Sequence, residues 1–134
     1  MRALLQRVSE ARVQIAGEVT GAIGPGLLVF LALEPGDTRK AGEALLERVL
    51  QYRVFGDEQG RMNRSLRDTG GGLLLLSQFT LAADTSRGLR PGFSTAMPPA
   101  EAGLLFASLF DYAAARHTPV AGGRFGADMQ VSLT

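Results

Sequence analysis

LLLLSQFTLAAD, residues 73–84, decides how the chain is read. Four consecutive leucines mark a buried strand. The chain then sets Ser77, Gln78 and Thr80 around Phe79. A buried polar group costs free energy unless it is paired, so a core strand ending in three hydrogen-bonding side chains is either leaving the core or building a site. Strand alternation sets Ser77, Phe79 and Leu81 on one face and Gln78 and Thr80 on the other. As plain structure, Thr and Phe favour strands while Ser and Gln face water. As a site, the stretch offers backbone N–H groups for an oxyanion and hydroxyls to position a substrate. That chemistry suits hydrolysis of an activated ester.

Upstream, Leu27 to Leu33 is a second uninterrupted apolar run and reads as another central strand. Residues 2–15 alternate with interruptions, as a long strand with one wet face. Val19 to Ile23 follows a turn at Gly17-Glu18, and the pair reads as a hairpin. Asp37 is the expected N-cap of a helix from Thr38 to about Tyr52, with Ala41, Ala44, Leu45, Val49 and Tyr52 on its apolar face. Arg53 to Phe55 reads as a short strand, and Met62 to Asp68 as an edge strand or loop. Residues 83–99 carry Arg87, Gly88, Arg90, Pro91, Gly92, Pro98 and Pro99 without periodicity, as functional surface loops do. Pro99 suits the first turn of a helix reaching about Arg116, with Leu104, Leu105, Phe106, Leu109, Phe110 and Ala113 inward. Pro119 to Phe125 and Met129 to Thr134 read as the last strands. The sum is one α+β domain over residues 1–134, with mainly antiparallel sheets and two flanking helices.

Composition narrows the chemistry. The 134 residues hold no cysteine and a single histidine, His117. Disulfides are excluded, a zinc site is not expected, and a reducing cytoplasm is the default setting. No apolar run is long enough to span a bilayer. No cofactor motif emerges: Gly70–Gly72 precede a strand with no Lys after them, and Gly24-Pro25-Gly26 lies between strands, so both read as turns. A Ser77–His117 pairing lacks a Gly-x-Ser-x-Gly elbow. The net charge is +1, yet residues 48–95 set seven arginines against four acidic residues, a local +3. Thirteen of the fourteen basic residues are arginine, from coding bias or from phosphate binding, where the guanidinium fork meets two oxygens.

Five stretches carry a resemblance: ALLQRVSEARV (3–13), GEVTGAIGPGLLVFLAL (17–33), ERVLQYRVFGDEQGRMN (47–63), LLSQFTLAADTSRGLRPGFS (75–94) and GRFGADMQVSL (123–133). Together they resemble the D-aminoacyl-tRNA deacylases, also called D-tyrosyl-tRNA deacylases. SQFTLAADT followed by RPGFS is the specific part. The resemblance implies a homodimer that hydrolyses the ester joining a D-amino acid, or glycine, to the terminal adenosine of tRNA, with no cofactor. It implies that Ser77, Gln78, Phe79 and Thr80 form the catalytic motif. Amides around Phe79 and Thr80 would hold the ester carbonyl. Either Thr80 or the tRNA's own 2′-hydroxyl would be the reactive group, and the lack of a base favours the hydroxyl. Arg7, Phe125 and Met129 match positions that line or brace the pocket. Arg87 and Arg90 are candidate contacts to tRNA phosphates; surface charge is their other reading.

One motif of that family has no counterpart. A Gly-Pro pair with a cis bond, just past the last strand, would enter the partner subunit's pocket and reject L-amino acids. Here the sequence stops at Ser132-Leu133-Thr134, where it should begin. Truncation, a variant with altered selectivity, and a non-catalytic relative that binds aminoacyl-tRNA ends all fit. Truncation fits best, because everything upstream is intact, and such a chain is expected to dimerise but to discriminate chirality poorly.

Overall fold

The computed structural model describes all 134 residues. Its nine strands and three helices run in the order β1 (Arg2–Val8), β2 (Ala11–Ile15), β3 (Glu18–Ile23), β4 (Gly26–Ala32), α1 (Arg39–Gln51), β5 (Phe55–Gly56), β6 (Met62–Arg64), α2 (Leu66–Thr69), β7 (Gly72–Ser77), α3 (Pro99–Arg116), β8 (Val120–Gly122) and β9 (Gln130–Leu133). A central sheet has the order β1-β4-β7-β8, a second has the order β3-β2-β9, and β5 pairs only with β6. Antiparallel pairs outnumber parallel ones, as expected for α+β, but β4–β7 and β7–β8 are both parallel. Parallel neighbours need long crossovers, and α1 and α3 lie in those two connections.

The leucine run explains the layering. Leu73 and Leu75 pack with Leu27, Val29, Leu46, Leu50 and Leu109 in the core shared with the helices. Leu74 and Leu76 pack with Leu28, Val13 and Ile23 in the core shared with the second sheet. Successive strand residues point to opposite faces, so a strand covered on both sides must be apolar throughout. All four leucines are at most 1% exposed. At one end of this strand pair, Gly26 and Gly72 sit opposite each other. A methyl on Gly26 would fall onto the Gly72 backbone, so the pairing requires glycine there.

Several expected boundaries move. Residues 2–15 break into two strands at Ser9-Glu10, and β2 and β3 form the expected hairpin. Thr38, not Asp37, caps α1: its hydroxyl accepts from the Ala41 N–H at 3.2 Å. Asp37 instead accepts from the Glu34 N–H at 2.7 Å, one turn too early to cap. The buried face of α1 is Gly42, Leu46, Val49 and Leu50 rather than the stripe through Ala44 and Leu45. Gly42 lets α1 approach α3, because a Cβ there would meet the Leu109 side chain at 2.5 Å. Residues 62–68 divide into β6 and the one-turn helix α2, which Ser65 and Asp68 close with a reciprocal capping box. On α3, Leu104 faces solvent, while Ala102 joins Phe106, Leu109 and Ala113 inside.

The strand expected to reach Phe79 stops at Ser77. Phe79–Ala82 is a 3-10 helical turn. The Gln78 N–H still bonds to the Leu31 carbonyl at 2.9 Å, and the chain then leaves the sheet. The two-residue alternation through Leu81 therefore fails, because a three-residue period takes over.

Candidate functional site

The three parallel strands run the same way, so their carboxyl ends share one edge of the sheet. Ligands in sheets of parallel strands bind beyond that edge. A cleft of about 540 Å³ opens there. Leu31 and Leu33 reach it from the end of β4, Ser77 from the end of β7, and Phe125 and Gly126 from the segment after β8. Phe93, Ala96, Met97 and Pro98 close one side, and Pro99, Ala102 and Phe106 of α3 form another. The Met97 N–H bonds to the Leu33 carbonyl at 2.9 Å and docks the loop on the sheet. Phe79 stands edge-on to Phe93 with ring centroids 5.1 Å apart. Phe125 lies against Phe106 at 6.0 Å.

None of the thirteen lining residues has an ionisable side chain. The polar resources are backbone groups and hydroxyls. Gln78 is the N-cap of the 79–82 turn, and no side chain caps that end. The first amides of a helical turn have no acceptor within it, so those of Phe79 and Thr80 are available where the turn meets the cleft. α3 likewise begins at the cleft with Pro98 and Pro99, and no side chain caps it. The 79–82 turn thus brings unpaired amides to the edge of an apolar space, whereas α3 opens on two prolines without an N–H and carries Glu101 in its first turn. The Thr80 hydroxyl accepts from the Gln78 side-chain amide.

The far end of the turn is anchored. Arg2 Nη1 donates to the Leu81 carbonyl at 3.2 Å, and the Thr95 hydroxyl donates to the Ala82 carbonyl. Arg2 Nε in turn donates to Glu34 at 2.7 Å. The Glu34 carboxyl is held below its ordinary pKa, first by the hydrogen bond from the Met1 ammonium and then, against burial, by Arg2.

The sequence profile of the D-Tyr-tRNA(Tyr) deacylase family matches residues 4–134. The chain belongs to that family. It is 64% identical over 133 residues to a D-aminoacyl-tRNA deacylase of Pseudomonas putida, covering 99% of this chain and 92% of that one. A D-aminoacyl-tRNA deacylase of Azotobacter vinelandii is 59% identical over the same shares of each chain. Among solved structures, one described as a c-Myc DNA unwinding element binding protein superimposes with a TM-score of 0.94 at 36% identity, over 100% of this chain and 91% of that one. A probable eukaryotic D-amino acid tRNA deacylase superimposes at 0.84 with 13% identity, over 98% and 92%, a likeness of fold alone.

The residues expected from the deacylase motifs separate into two groups. Ser77, Phe79 and Phe125 line the cleft, while Gln78 and Thr80 flank Phe79 along the chain without lining it. Met129 stands back from the cleft. It packs with Val13 and Leu76 in the second core, its sulfur filling the space a side chain at Gly123 would take. Arg7 lies away from the cleft: it pairs with Leu27 at the opposite end of β4, and its guanidinium donates to the Val54 carbonyl at 2.8 Å. Arg87 and Arg90 are exposed on the loop that a bridge between Asp84 and Gly92 closes. His117 is remote, bonded to the Gly71 carbonyl at 2.7 Å where β7 begins. Phe93, Met97 and Phe106 belong to the cleft although sequence reasoning gave them no site role. Phe93 sits inside RPGFS and was within reach; Phe106 read as ordinary helix core.

Proposed function

We propose that this cleft hydrolyses the ester joining a D-amino acid, or glycine, to the 3′-terminal adenosine of tRNA. The observation that carries the reading is a cleft with free amides at one end and no ionisable side chain in its lining. In ester hydrolysis, charge develops on the carbonyl oxygen. The amides of Phe79 and Thr80 are the donors suited to hold it. A water, oriented by the substrate's neighbouring 2′-hydroxyl, adds to the carbonyl carbon. The bond to the ribose oxygen then breaks. That oxygen takes the proton, and the amino acid leaves as its carboxylic acid. With no acid or base in the lining, the substrate's hydroxyl replaces the missing side chain, and Thr80 serves in placing rather than attacking. Ser77 and Gln78 shape the strand end, and Phe125 bounds the substrate.

The same reading makes tRNA the partner, with Arg87 and Arg90 beside its phosphates, and a homodimer in the cytoplasm the working form. No helix is long and apolar enough to cross a membrane. Arg7 and Met129, away from the cleft in one subunit, act as braces in this account.

The test is a time course of deacylation of D-tyrosyl-tRNA and L-tyrosyl-tRNA. Rapid release from the D-ester is the expected result. Stable D-ester in the presence of folded protein would overturn the reading and leave a binding role.

A further inference from the structure

The 79–82 turn is only four residues long, and its two ends are treated differently. Its N–H end meets the cleft uncapped. Its carbonyl end is gripped by side chains from distant parts of the chain: Arg2 on Leu81 and Thr95 on Ala82. Arg2 comes from β1, 79 positions before Leu81 in sequence. Its guanidinium is committed in two directions, Nε to the Glu34 carboxylate at 2.7 Å and Nη1 to the Leu81 carbonyl at 3.2 Å. Glu34 is itself fixed, accepting from the Met1 ammonium at 2.7 Å. Its backbone N–H donates to Asp37.

We propose that Arg2 is a positioning residue for the hydrolysis: through the Leu81 carbonyl it fixes the turn so that the amides of Phe79 and Thr80 meet the ester carbonyl. The inference rests on the deacylase reading above. Two physical points carry it. First, the Arg2 side chain is 55% exposed, and exposed ion pairs contribute little to stability, so its two bonds are poorly explained as scaffolding. Second, an oxyanion donor works only when preorganised, and a small displacement of reacting groups costs large factors in rate. A one-turn helix cannot hold itself. It needs the sheet at Gln78, the loop at Thr95 and the fork of Arg2. Lysine is a poor substitute, because a point charge lacks the planar geometry that spans both acceptors.

Arg2→Ala, Arg2→Gln and Arg2→Lys are compared with the unaltered chain on D-tyrosyl-tRNA, with kcat, KM and melting temperature measured for each. The unaltered chain must first deacylate this substrate; if it does not, the functional reading fails rather than this one. The expected result for Arg2→Ala is a kcat lowered about tenfold with KM and melting temperature nearly unchanged. Added methylguanidinium should restore part of that rate and leave the unaltered chain as it was. Unchanged kcat overturns the proposal. So does a raised KM with normal kcat, which would make Arg2 a phosphate contact. A loss of rate that follows melting temperature across the variants, without methylguanidinium rescue, also overturns it. Should Arg2→Ala not fold, Arg2→Lys decides: a normal kcat in a folded Lys variant rejects the positioning role, and a lowered one supports it.

Discussion

The side-chain amide of Gln78 donates to the hydroxyl of Thr80, across the first step of the 79–82 turn. No carboxylate or imidazole is hydrogen-bonded to that hydroxyl. A hydroxyl without a base is a weak nucleophile at neutral pH. Thr80→Ala should therefore keep kcat within about threefold in single-turnover deacylation. A loss of about a thousandfold would instead assign the nucleophile to Thr80. A substrate whose terminal ribose lacks the 2′-hydroxyl should be the one that fails.

Phe125 bounds the cleft and lies against Phe106, yet it is 38% exposed. Phe125→Ala should raise KM more than it lowers kcat, because an apolar wall contributes to ground state and transition state alike. Steady-state kinetics separates the two effects. A change confined to kcat would give Phe125 a part in the chemistry.

Arg87 and Arg90 project from the loop closed at Asp84 and Gly92, and neither makes a side-chain hydrogen bond within the chain. If each meets a phosphate, replacing it with Ala should weaken tRNA binding uniformly across sequences. The slope of log affinity against log salt should then fall by about 0.7–0.9 for each phosphate that is no longer neutralised. Titrations at several salt concentrations read this directly, and an unchanged slope would place the tRNA elsewhere.

Five carboxylates, Glu34, Glu47, Asp57, Asp68 and Asp84, are held below their ordinary range, and Glu47 and Asp68 show how this links stability to acid. Glu47 is held below its ordinary range first by its hydrogen bond to Arg67, with Tyr112 and Gln51 adding to it against burial. Asp68 is lowered chiefly by the backbone and hydroxyl of Ser65. Both bind protons less readily when the chain is folded. Their stabilisation is therefore complete above the ordinary carboxylate pKa and disappears as pH falls through the lowered folded values. Urea midpoints should hold from pH 7 to about 5 and fall below that. Glu47→Gln should flatten part of the fall, and a variant with the full acid slope would show that Glu47 contributes nothing.

Gly26 faces Gly72 where β4 and β7 begin their parallel pairing. Gly26→Ala would press a methyl onto the Gly72 backbone. Backbone cannot rotate aside as a side chain can, so the cost should reach about 3 kcal/mol or more. Thermal unfolding should show a large drop, and a melting point within a few degrees of the unaltered chain would mean that the strands had moved apart freely.

Much of this architecture was legible in the sequence, and the failures share a cause. The run Leu73–Leu76 announced a strand buried on both faces, and both cores claim it. Ser77–Thr80 stood out because its polarity broke that run, and Ser77 and Phe79 line the cleft. What was not legible depended on partners far along the chain. Asp37 looked like a cap until the backbone of Glu34 claimed it. Leu45 and Leu46 are adjacent, and only the position of α3 decides which is buried. The capping box of Ser65 and Asp68 was a local signal in plain view, hidden by a segment that also suited an edge strand. Arg2 offered no signal at all, since its acceptor lies 79 positions away.

The uncharged lining of the cleft sets how such a protein can be inhibited. With no thiol, amine, imidazole or carboxylate among the thirteen lining residues, and with the Ser77 hydroxyl lacking a base to activate it, an electrophilic warhead has little to react with there. Activity-based probes of the kinds that label proteases and lipases should pass this protein by. An effective blocker has to be reversible and shape-matched. It should carry an anionic or strongly polar oxygen to the amides of Phe79 and Thr80 and lay flat apolar surface against Phe93 and Phe125.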